Sequence, residues 1–316
     1  MSVNPTRKKN TVALTGATGF IGPYLIKALK ASGYHVRALT RRPQPEQTGV
    51  DWVKGRLDDP EAIRNLVQNA VHVVHAAGAI KARNKPDFFQ INCDACTFIA
   101  RAAKAARVQS FVLMSSLAAR APELSDYAAS KAAGEAAIAQ ILGNDIPWVA
   151  LRPPAVFGPG DTETLKIFKA IKSGFAPLIS PHARASWIYA DDLAQATVAA
   201  LTEQNAFYQI LPLDDGSGGY LVRESHQLVA DLLDRKLRIV RIPPPLLSFI
   251  GLMNEGLSSV TRRTPMLTRG KARELSHPDW GISEPGFAEK SDWEPRTSLA
   301  EGLRISLNWY REKGLL

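Results

Sequence analysis

Three glycines at a fixed spacing constrain the fold of this chain more than any other feature of its sequence. They fall in "TGATGFIG", directly after the apolar run "TVAL" and before "PYLIKALKASG". In a strand–turn–helix frame, the first glycine permits a tight turn, the second lets the main chain approach a pyrophosphate, and the third lets helix pack close to strand. A glycine-rich turn without a ligand is the structural alternative. The segment predicts a dinucleotide site with candidate contacts at Gly16, Thr18, Gly19, Phe20, Ile21 and Gly22.

Short β-rich runs alternate with helical stretches from residue 11 to about residue 155. Strands that alternate with helices predict a parallel sheet covered on both faces, and apolar runs such as "FVLM" are typical of strands buried on both sides. We therefore expect an α/β fold, a Rossmann-type doubly wound parallel sheet with a smaller C-terminal substrate-binding part. The predicted strands are "TVALT", "HVRALT", "DWVKG", "VHVVHA", "SFVLMSS" and "WVALR".

The rhythm of strands and helices weakens after "RPPAVFGPGD", where prolines and glycines increase. This change predicts the domain limits. Residues 1–10 form a disordered tail and residues 11–160 form the dinucleotide-binding domain, to which residues 187–212 return. Residues 161–186 and 213–316 form the substrate-binding part.

The end of the second predicted strand, "HVRALTRRP", indicates which dinucleotide is bound. An acidic residue there would accept hydrogen bonds from the ribose hydroxyls of NAD. Thr40 stands at that point instead, followed by Arg41 and Arg42. A guanidinium can grip a 2′-phosphate that a carboxylate would repel. The sequence therefore favours NADP(H) over NAD(H), with Arg41 as the contact; the alternative is that both arginines lie in solvent at a strand end.

Tyr127 and Lys131, in "YAASK", stand at i and i+4 and therefore share one helix face. A nearby ammonium stabilises a phenolate and lowers the pKa of the phenol, which makes tyrosine a usable acid–base group. Ser115 and Ser116 end the strand in "FVLMSS", where a hydroxyl could hydrogen-bond a substrate oxygen that develops charge. Each piece alone is common on solvated surfaces, and their order behind a dinucleotide loop is what favours a catalytic role.

The net charge of +9 comes from scattered basic residues, and no nucleic-acid-binding motif accompanies it. The polar, basic N-terminus has no apolar core behind it, and no apolar run approaches twenty residues. We therefore expect a cytoplasmic protein that does not bind nucleic acid. The motif "CDAC" lacks the second Cys/His pair that zinc requires, so Cys93 and Cys96 are interpreted as helix residues and no metal is expected.

The apolar segment "PPPLLSFIGLMNEGLSSV" predicts one helix in the C-terminal part. Packing against the rest of the protein is the usual role for such a helix. An alternative is peripheral membrane attachment, with Arg262 and Arg263 nearby.

The motifs together resemble the extended branch of the short-chain dehydrogenase/reductase superfamily, the NAD-dependent epimerase/dehydratase type. The resemblance covers about residues 11–200 and rests on "TGATGFIG", "GRLDDP", "VVHAAG", "INCDACT", "FVLMSS", "YAASKAAGE", "RPPAVFGPGD" and "WIYADDLAQA", in the family order. The C-terminal "WEPRTSLAEGLRISLNWY" is also similar to the tail of extended members. In one place the chain departs from the sugar-nucleotide type, because Arg120 stands where "S-x-x-x-Y-G" usually places Tyr.

The resemblance implies a role for each matching position. It implies that Tyr127 is the acid–base, that Lys131 is its partner and a ribose ligand, that Ser116 orients the substrate oxygen, and that Asn92 lies on the helix under the active site. Many relatives dimerise through the helices that hold Asn92 and Tyr127, so the resemblance leaves both a monomer and a homodimer open. The remaining cofactor contacts implied are Asp58 and Leu57 at the adenine, Ala76, Ala77 and Gly78 at the ribose and nicotinamide side, and Pro153 and Val156 at the nicotinamide.

Within this superfamily the pattern favours hydride transfer between an NADP(H) nicotinamide and a ketone or secondary alcohol. Leu117 and Ala118 replace the acid pair of dehydratases, and Arg41 argues against a sugar-nucleotide epimerase, which remains the alternative. "GYHVRALTRRP" resembles the flavonol-reductase and 3β-hydroxysteroid-dehydrogenase-like members, which implies an apolar substrate. A non-catalytic dinucleotide-binding protein is an alternative of another class, because the loop between Ser116 and Tyr127 is short for extended members.

Overall fold

The structure is a computed structural model that describes residues 10–261, 265 and 267–316. The predicted disordered tail lies outside the described residues except for its last residue, Asn10. The strands are β1 (Thr11–Thr15), β2 (His35–Thr40), β3 (Val50–Lys54), β4 (His72–His75), β5 (Ser110–Met114), β6 (Trp148–Arg152), β7 (Ala155–Phe157), β8 (Ala176–Leu178), β9 (Arg184–Ala185), β10 (Trp187–Tyr189), β11 (Gln209–Pro212), β12 (Tyr220–Leu221), β13 (Ile239–Arg241) and β14 (Asp279–Trp280). The α-helices are α1 (Gly22–Ala31), α2 (Pro60–Val67), α3 (Lys85–Phe89), α4 (Ala95–Ala106), α5 (Asp126–Leu142), α6 (Thr162–Lys172), α7 (Ala190–Ala199), α8 (Val222–Leu232), α9 (Pro244–Thr261), α10 (Arg269–Ser276) and α11 (Leu299–Glu312).

Seven strands form one parallel sheet in the order β11-β6-β5-β4-β1-β2-β3. The six predicted strands all belong to it, and the predicted doubly wound α/β class is confirmed. The seventh strand, β11, was not predicted because "QILP" is short and ends in a proline. It pairs with β6 at the edge of the sheet, where a proline is tolerated.

Helices cover both faces of this sheet. On one face, Leu25 and Leu29 of α1 and Leu193 of α7 pack on the strands in one buried apolar cluster. On the other face, Ile99 of α4 and Ile138 of α5 belong to a second cluster, which α2 completes. The central strands β1, β4, β5 and β6 are buried almost throughout, and their sequences are correspondingly rich in apolar residues.

A third apolar cluster lies in the C-terminal part, between α6, α8 and α11. Phe168, Val229, Leu303 and Tyr310 are buried in it, and the Tyr310 hydroxyl donates to the backbone oxygen of Asp161 at 2.7 Å. This cluster gives the segments after residue 160 apolar contacts of their own. The predicted domain limits stay a prediction.

The predicted long helix over "FFQINCDACTFIARAAKAAR" contains an irregularity. A π-helical turn, Gln90–Asp94, separates α3 from α4. At this turn α5 comes so close that a Cβ on Gly134 would collide with the backbone oxygen of Asn92. The two cysteines of this segment are free, and the described residues contain no group of His, Cys, Asp and Glu that could hold a metal ion.

Gly16 and Gly33 allow a matched test of the glycine loop. Both have a φ of +80°, but a Cβ at Gly16 would lie 2.6 Å from the Ala76 backbone, whereas at Gly33 nothing lies within 4 Å. Both alanine variants carry the same backbone strain, of about 1–2 kcal/mol. We expect Gly16→Ala to lower the free energy of unfolding by about 1–3 kcal/mol more than Gly33→Ala, because only Gly16→Ala overpacks the β1–β4 contact. Urea denaturation measures both, and equal losses would contradict the close approach.

Candidate active site

The carboxyl ends of the parallel strands meet at one edge, and the strand order reverses between β1 and β4. In doubly wound sheets the crevice at such a point binds ligands. The loops after these two strands are held together there. The backbone N–H groups of Ala76 and Ala77 donate to Thr15, to its backbone oxygen at 3.3 Å and to its Oγ1 at 3.2 Å. These contacts form the floor of a crevice beside the glycine loop.

The glycine loop has the features that a pyrophosphate requires. Thr18 and Gly19 are exposed at the crevice, and Phe20 and Ile21 are half-buried beside them. Helix α1 begins at Gly22 without a side-chain cap; the Gly22 N–H donates to the Gly19 backbone oxygen at 3.1 Å, and Pro23 has no N–H, so Tyr24 carries the first N–H of the helix that no side chain caps. Uncapped N–H groups at a helix N-terminus bind anions such as phosphates. The residues present therefore fit a dinucleotide, with its phosphates at the start of α1.

No carboxylate stands at the end of β2. Thr40 is buried there and its hydroxyl donates to the backbone oxygen of Arg42 at 2.6 Å, while the side chains of Arg41 and Arg42 are exposed. Asp58, the predicted adenine contact, is also exposed, and its carboxylate pairs with Arg56 at 2.9 Å. The neighbouring Leu57 is half-buried and packs against the apolar cluster of that face.

The short loop does bring Ser116 to Tyr127. The Ser116 side chain lies close enough to the Tyr127 phenol to lower the pKa of that phenol. Ser116 also caps the short 3₁₀ turn Leu117–Arg120 by accepting from the Ala118 N–H at 3.2 Å. Lys131 is buried, and its Nζ donates to the backbone oxygen of Met114 at 2.6 Å. Tyr127 and Lys131 therefore flank the end of β5 from one face of α5.

The pKa of Tyr127 differs from the prediction. Burial raises the pKa of Tyr127 to about 12, against the lowering effect of the nearby Ser116 hydroxyl, and the negative charge of Glu274 raises it further. Burial likewise lowers the pKa of Lys131. The expected lowering of the phenol pKa by Lys131 is therefore wrong for this structure, because removal of the phenol from water outweighs the stabilisation of its anion.

Asn92 connects the loop after β4 to α5. Its side-chain Oδ1 accepts from the Ala79 N–H at 2.8 Å, and its Nδ2 donates to the Ala79 backbone oxygen at 3.0 Å and to Ser130 Oγ at 2.9 Å. Gly78 lies against this amide, since a Cβ there would be 3.1 Å from Asn92 Oδ1. Asn92 thus holds the walls of the crevice together from its position in the π-helical turn.

The remaining predicted contacts lie around the same crevice. Pro153 is buried after β6, and its backbone oxygen accepts from the Leu117 N–H at 2.8 Å. Val156 is half-buried in β7. Arg120, the departure from the sugar-nucleotide pattern, points to the C-terminal part and donates to the backbone oxygens of Asp279 and Gly281, each at 2.8 Å.

A buried ionic network under the site was not predicted. The Glu135 carboxylate is 2% exposed and accepts two hydrogen bonds from Arg152, at 2.8 and 2.6 Å, and a third from Ser115. Glu135 follows Tyr127 and Lys131 at the same four-residue spacing. That spacing, three polar residues on one helix face, is the signal that could have identified it.

A cavity of about 670 Å³ opens beside Tyr127. Its far wall is α10, where the buried Glu274 carboxylate accepts from Ser125 Oγ and from Lys271 Nζ, the latter at 2.8 Å. No pattern in the sequence predicts this wall, because α10 is polar and such a helix is expected on a surface. The other lining residues are Ile80–Lys85, Phe88, Asp126, Glu163, Lys166, Glu255, Pro265, Leu267–Gly270, Arg273 and Leu275.

A dinucleotide crevice, a tyrosine–lysine–serine group beside it and a cavity beyond it define an oxidoreductase of the short-chain dehydrogenase/reductase type. Residues 12–210 match the NAD dependent epimerase/dehydratase family, and the chain belongs to that family.

Two curated relatives match almost the whole chain. It is 38% identical over 317 residues to ceramide reductase of Caulobacter vibrioides, with 98% of each chain covered. It is 27% identical to 2-alkyl-3-oxoalkanoate reductase of Stenotrophomonas maltophilia, with 93% of this chain and 97% of the relative covered.

Solved structures share the fold at lower identity. MoeE5 in complex with UDP-glucuronic acid and NAD superposes with a TM-score of 0.74 at 20% identity, over 96% of this chain and 99% of that one. The UDP-glucose 4-epimerase of Thermus thermophilus, in complex with NAD, superposes with a TM-score of 0.72 at 22% identity, over 95% of this chain and 99% of that one.

The Glu135–Arg152 pair should be worth more to stability than an exposed pair. We expect Arg152→Met to lower the free energy of unfolding by about 3–5 kcal/mol, because it leaves a buried carboxylate without its cation. The further change Glu135→Gln in the same chain should recover part of this loss. Thermal and urea unfolding measure both variants.

The matched control is Lys104→Met, which removes an exposed pair with Asp145. It should cost less than about 1 kcal/mol. Equal losses for Arg152→Met and Lys104→Met would contradict a structural role for the buried network.

Proposed function

We propose that this protein is an NADP(H)-dependent reductase that converts a ketone of a long-chain, ceramide-type lipid to the secondary alcohol. The observation that carries the proposal is the Tyr127 phenol, which lies near Ser116 and lines a cavity of about 670 Å³. A ketone in that cavity would lie beside a proton donor on one side and the dinucleotide crevice on the other.

The protonation state of Tyr127 favours reduction. With a pKa of about 12, the phenol is protonated at neutral pH and is therefore ready to donate. Reduction of a ketone needs a proton on the oxygen, whereas oxidation of an alcohol first needs a phenolate. The environment of Tyr127 thus supports a proton donor.

Each residue has a defined part in the proposed reaction. When bound, the nicotinamide supplies the hydride that becomes the new C–H bond, and NADP⁺ is the other product. Tyr127 protonates the carbonyl oxygen as the C=O π bond breaks, and Ser116 holds that oxygen by a hydrogen bond. Lys131, on the same face of α5, would hold the dinucleotide ribose, and the Ser116 hydroxyl, which lowers the pKa of the phenol, stabilises the phenolate left behind. A proton from solvent then restores the phenol.

The ceramide-type substrate rests on the relative and on the size of the cavity. The relative named ceramide reductase is 38% identical over almost the full length. A cavity of about 670 Å³ holds a drug-sized group. A two-chain lipid is larger, so its ketone and amide would lie inside while its chains leave past Ile80 and Leu275, which are 64% and 45% exposed at the cavity.

Loss of the phenol hydroxyl should abolish turnover. We expect Tyr127→Phe to lower kcat for a ceramide carrying a ketone in place of its secondary hydroxyl by about 10²–10⁴-fold, because the proton donor is removed. NADPH oxidation followed by absorbance measures this. Tyr208→Phe is the control, because the Tyr208 side chain is 42% exposed and lies at the sheet edge.

The substrate panel should also contain a 3-oxoalkanoate and UDP-glucose. Conversion of UDP-glucose without net consumption of NADPH would support the epimerase alternative. Failure of all three substrates with wild-type protein that binds NADPH would support the non-catalytic alternative.

Arg41 should select the phosphorylated dinucleotide. We expect Arg41→Ser to raise the KM for NADPH by about 10–100-fold and to leave the KM for NADH unchanged, because only NADPH carries the 2′-phosphate that a guanidinium binds. Arg42→Ser, one residue further and equally exposed, is the matched control and should change the KM for NADPH less. A wild-type enzyme that prefers NADH would overturn the NADP(H) assignment.

A further inference from the structure

Helix α9 leaves an apolar face uncovered. Leu246, Phe249, Ile250 and Met253 are 48%, 59%, 40% and 60% exposed, and they stand at i, i+3, i+4 and i+7. This spacing places them on one side of the helix. We call these four residues the α9 stripe. The sequence led us to expect that this helix packs against the rest of the protein. That expectation explains the side of α9 opposite the stripe, but not the stripe itself.

The opposite side of α9 is packed against α10. Leu247 is 8% exposed, and Gly251 lies so close to α10 that a Cβ there would be 2.8 Å from the Arg269 backbone nitrogen. The Glu255 carboxylate accepts from the Arg269 backbone N–H and from its Nε, both at 2.8 Å. The orientation of the helix is therefore defined, and the α9 stripe faces away from the protein.

A cationic segment leads directly into α9. Arg235, Lys236, Arg238 and Arg241 are all exposed, and the sequence from residue 235 to residue 254 contains no acidic residue. A row of apolar side chains that follows a run of exposed cations in the sequence matches the two parts of an anionic bilayer surface, its acyl chains and its charged headgroups. A row of four exposed apolar side chains on one helix face marks an interaction site.

We infer that the α9 stripe inserts into the surface of an anionic lipid bilayer, with the cations of residues 235–241 at its headgroups. The described residues contain no helix long and apolar enough to cross a membrane, so the contact would be on one leaflet. Arg262 and Arg263, the flanking arginines expected from the sequence, lie outside the described residues, and the inference does not depend on them.

The position of α9 connects this contact to the cavity. Glu255, on the packed side of α9, lines the cavity that Tyr127 also lines. The same helix therefore carries the lipid contact outside and a cavity wall inside. This part of the inference rests on the proposed function: a lipid substrate would pass from the bilayer to the cavity without crossing water.

Vesicle flotation tests the contact without any assay of activity. Wild-type protein is mixed at low salt with vesicles of phosphatidylcholine alone or of phosphatidylcholine with phosphatidylglycerol. We expect stronger binding to the vesicles that contain phosphatidylglycerol, and weaker binding as salt is added. If the wild-type protein binds neither kind of vesicle, the inference is wrong.

Three variants separate the apolar and the charged contributions. Phe249→Gln with Met253→Gln should lower the partition coefficient at least about tenfold, because two large apolar side chains no longer leave water. Arg238→Gln with Arg241→Gln should lower it about 25-fold, on vesicles with phosphatidylglycerol only. The control Phe98→Gln, on α4 and 41% exposed, should bind like wild type.

Two further measurements distinguish a bilayer from a second copy of the chain as the partner of the α9 stripe, and the membrane contact from the proposed function. The first measurement is the oligomeric state. The inference is wrong if wild type is a dimer, the double variant Phe249→Gln, Met253→Gln is a monomer, and neither protein binds vesicles. In that case the α9 stripe is covered by a second copy of the chain. Tyr127→Phe should float like wild type. Flotation with no Tyr127-dependent turnover would overturn the proposed function alone, and turnover without flotation would overturn the membrane contact alone.

Discussion

The polar attachment of α5 to the sheet is the constraint on which the rest of the site depends. Helices on parallel sheets are usually held by apolar side chains, but α5 turns Lys131 and Glu135 toward the ends of β5 and β6. Each is buried and each has a partner in those strands: the Met114 carbonyl, and Ser115 with Arg152. Such contacts are directional, so they set the rotation of α5 as well as its distance from the sheet. That rotation brings Tyr127 to Ser116.

Local patterns in the sequence predicted the strands and the shared face of Tyr127 and Lys131, but not the properties that depend on burial. Periodicity and turn residues predicted six of the seven strands, because a sheet covered on both faces leaves a strong local signal. The i, i+4 spacing predicted that Tyr127 and Lys131 share a face. The pKa of Tyr127 was predicted in the wrong direction, since it depends on how deeply the phenol is buried and on Glu274, which is far away in the sequence.

Contacts between distant segments explain the other differences. The π-helical turn at Asn92 occurs where α5 crosses closely at Gly134, and no pattern within "QINCD" reveals that crossing. Ser125 caps α5 and also donates to Glu274 of α10, so one hydroxyl links the start of the Tyr127 helix to the cavity wall. A polar helix such as α10 is ordinary in sequence, and only the fold shows that its carboxylate is buried.

The two halves of the chain therefore supply different properties. The sheet and α5 form a rigid frame, in which buried polar pairs fix the reacting groups within the crevice. The C-terminal part adds α9 and α10, which contact each other closely at Gly251 and reach the frame through Glu274 and Arg120. Because the cavity lies between the frame and this helix pair, its shape depends on where α10 lies. A bilayer that orients α9 would act on α10 through the Glu255–Arg269 pair, and thus on the wall that faces the Tyr127 phenol. In the proposed reductase, the lipid surface that supplies the substrate would therefore be coupled, through α9 and α10, to the cavity that receives it.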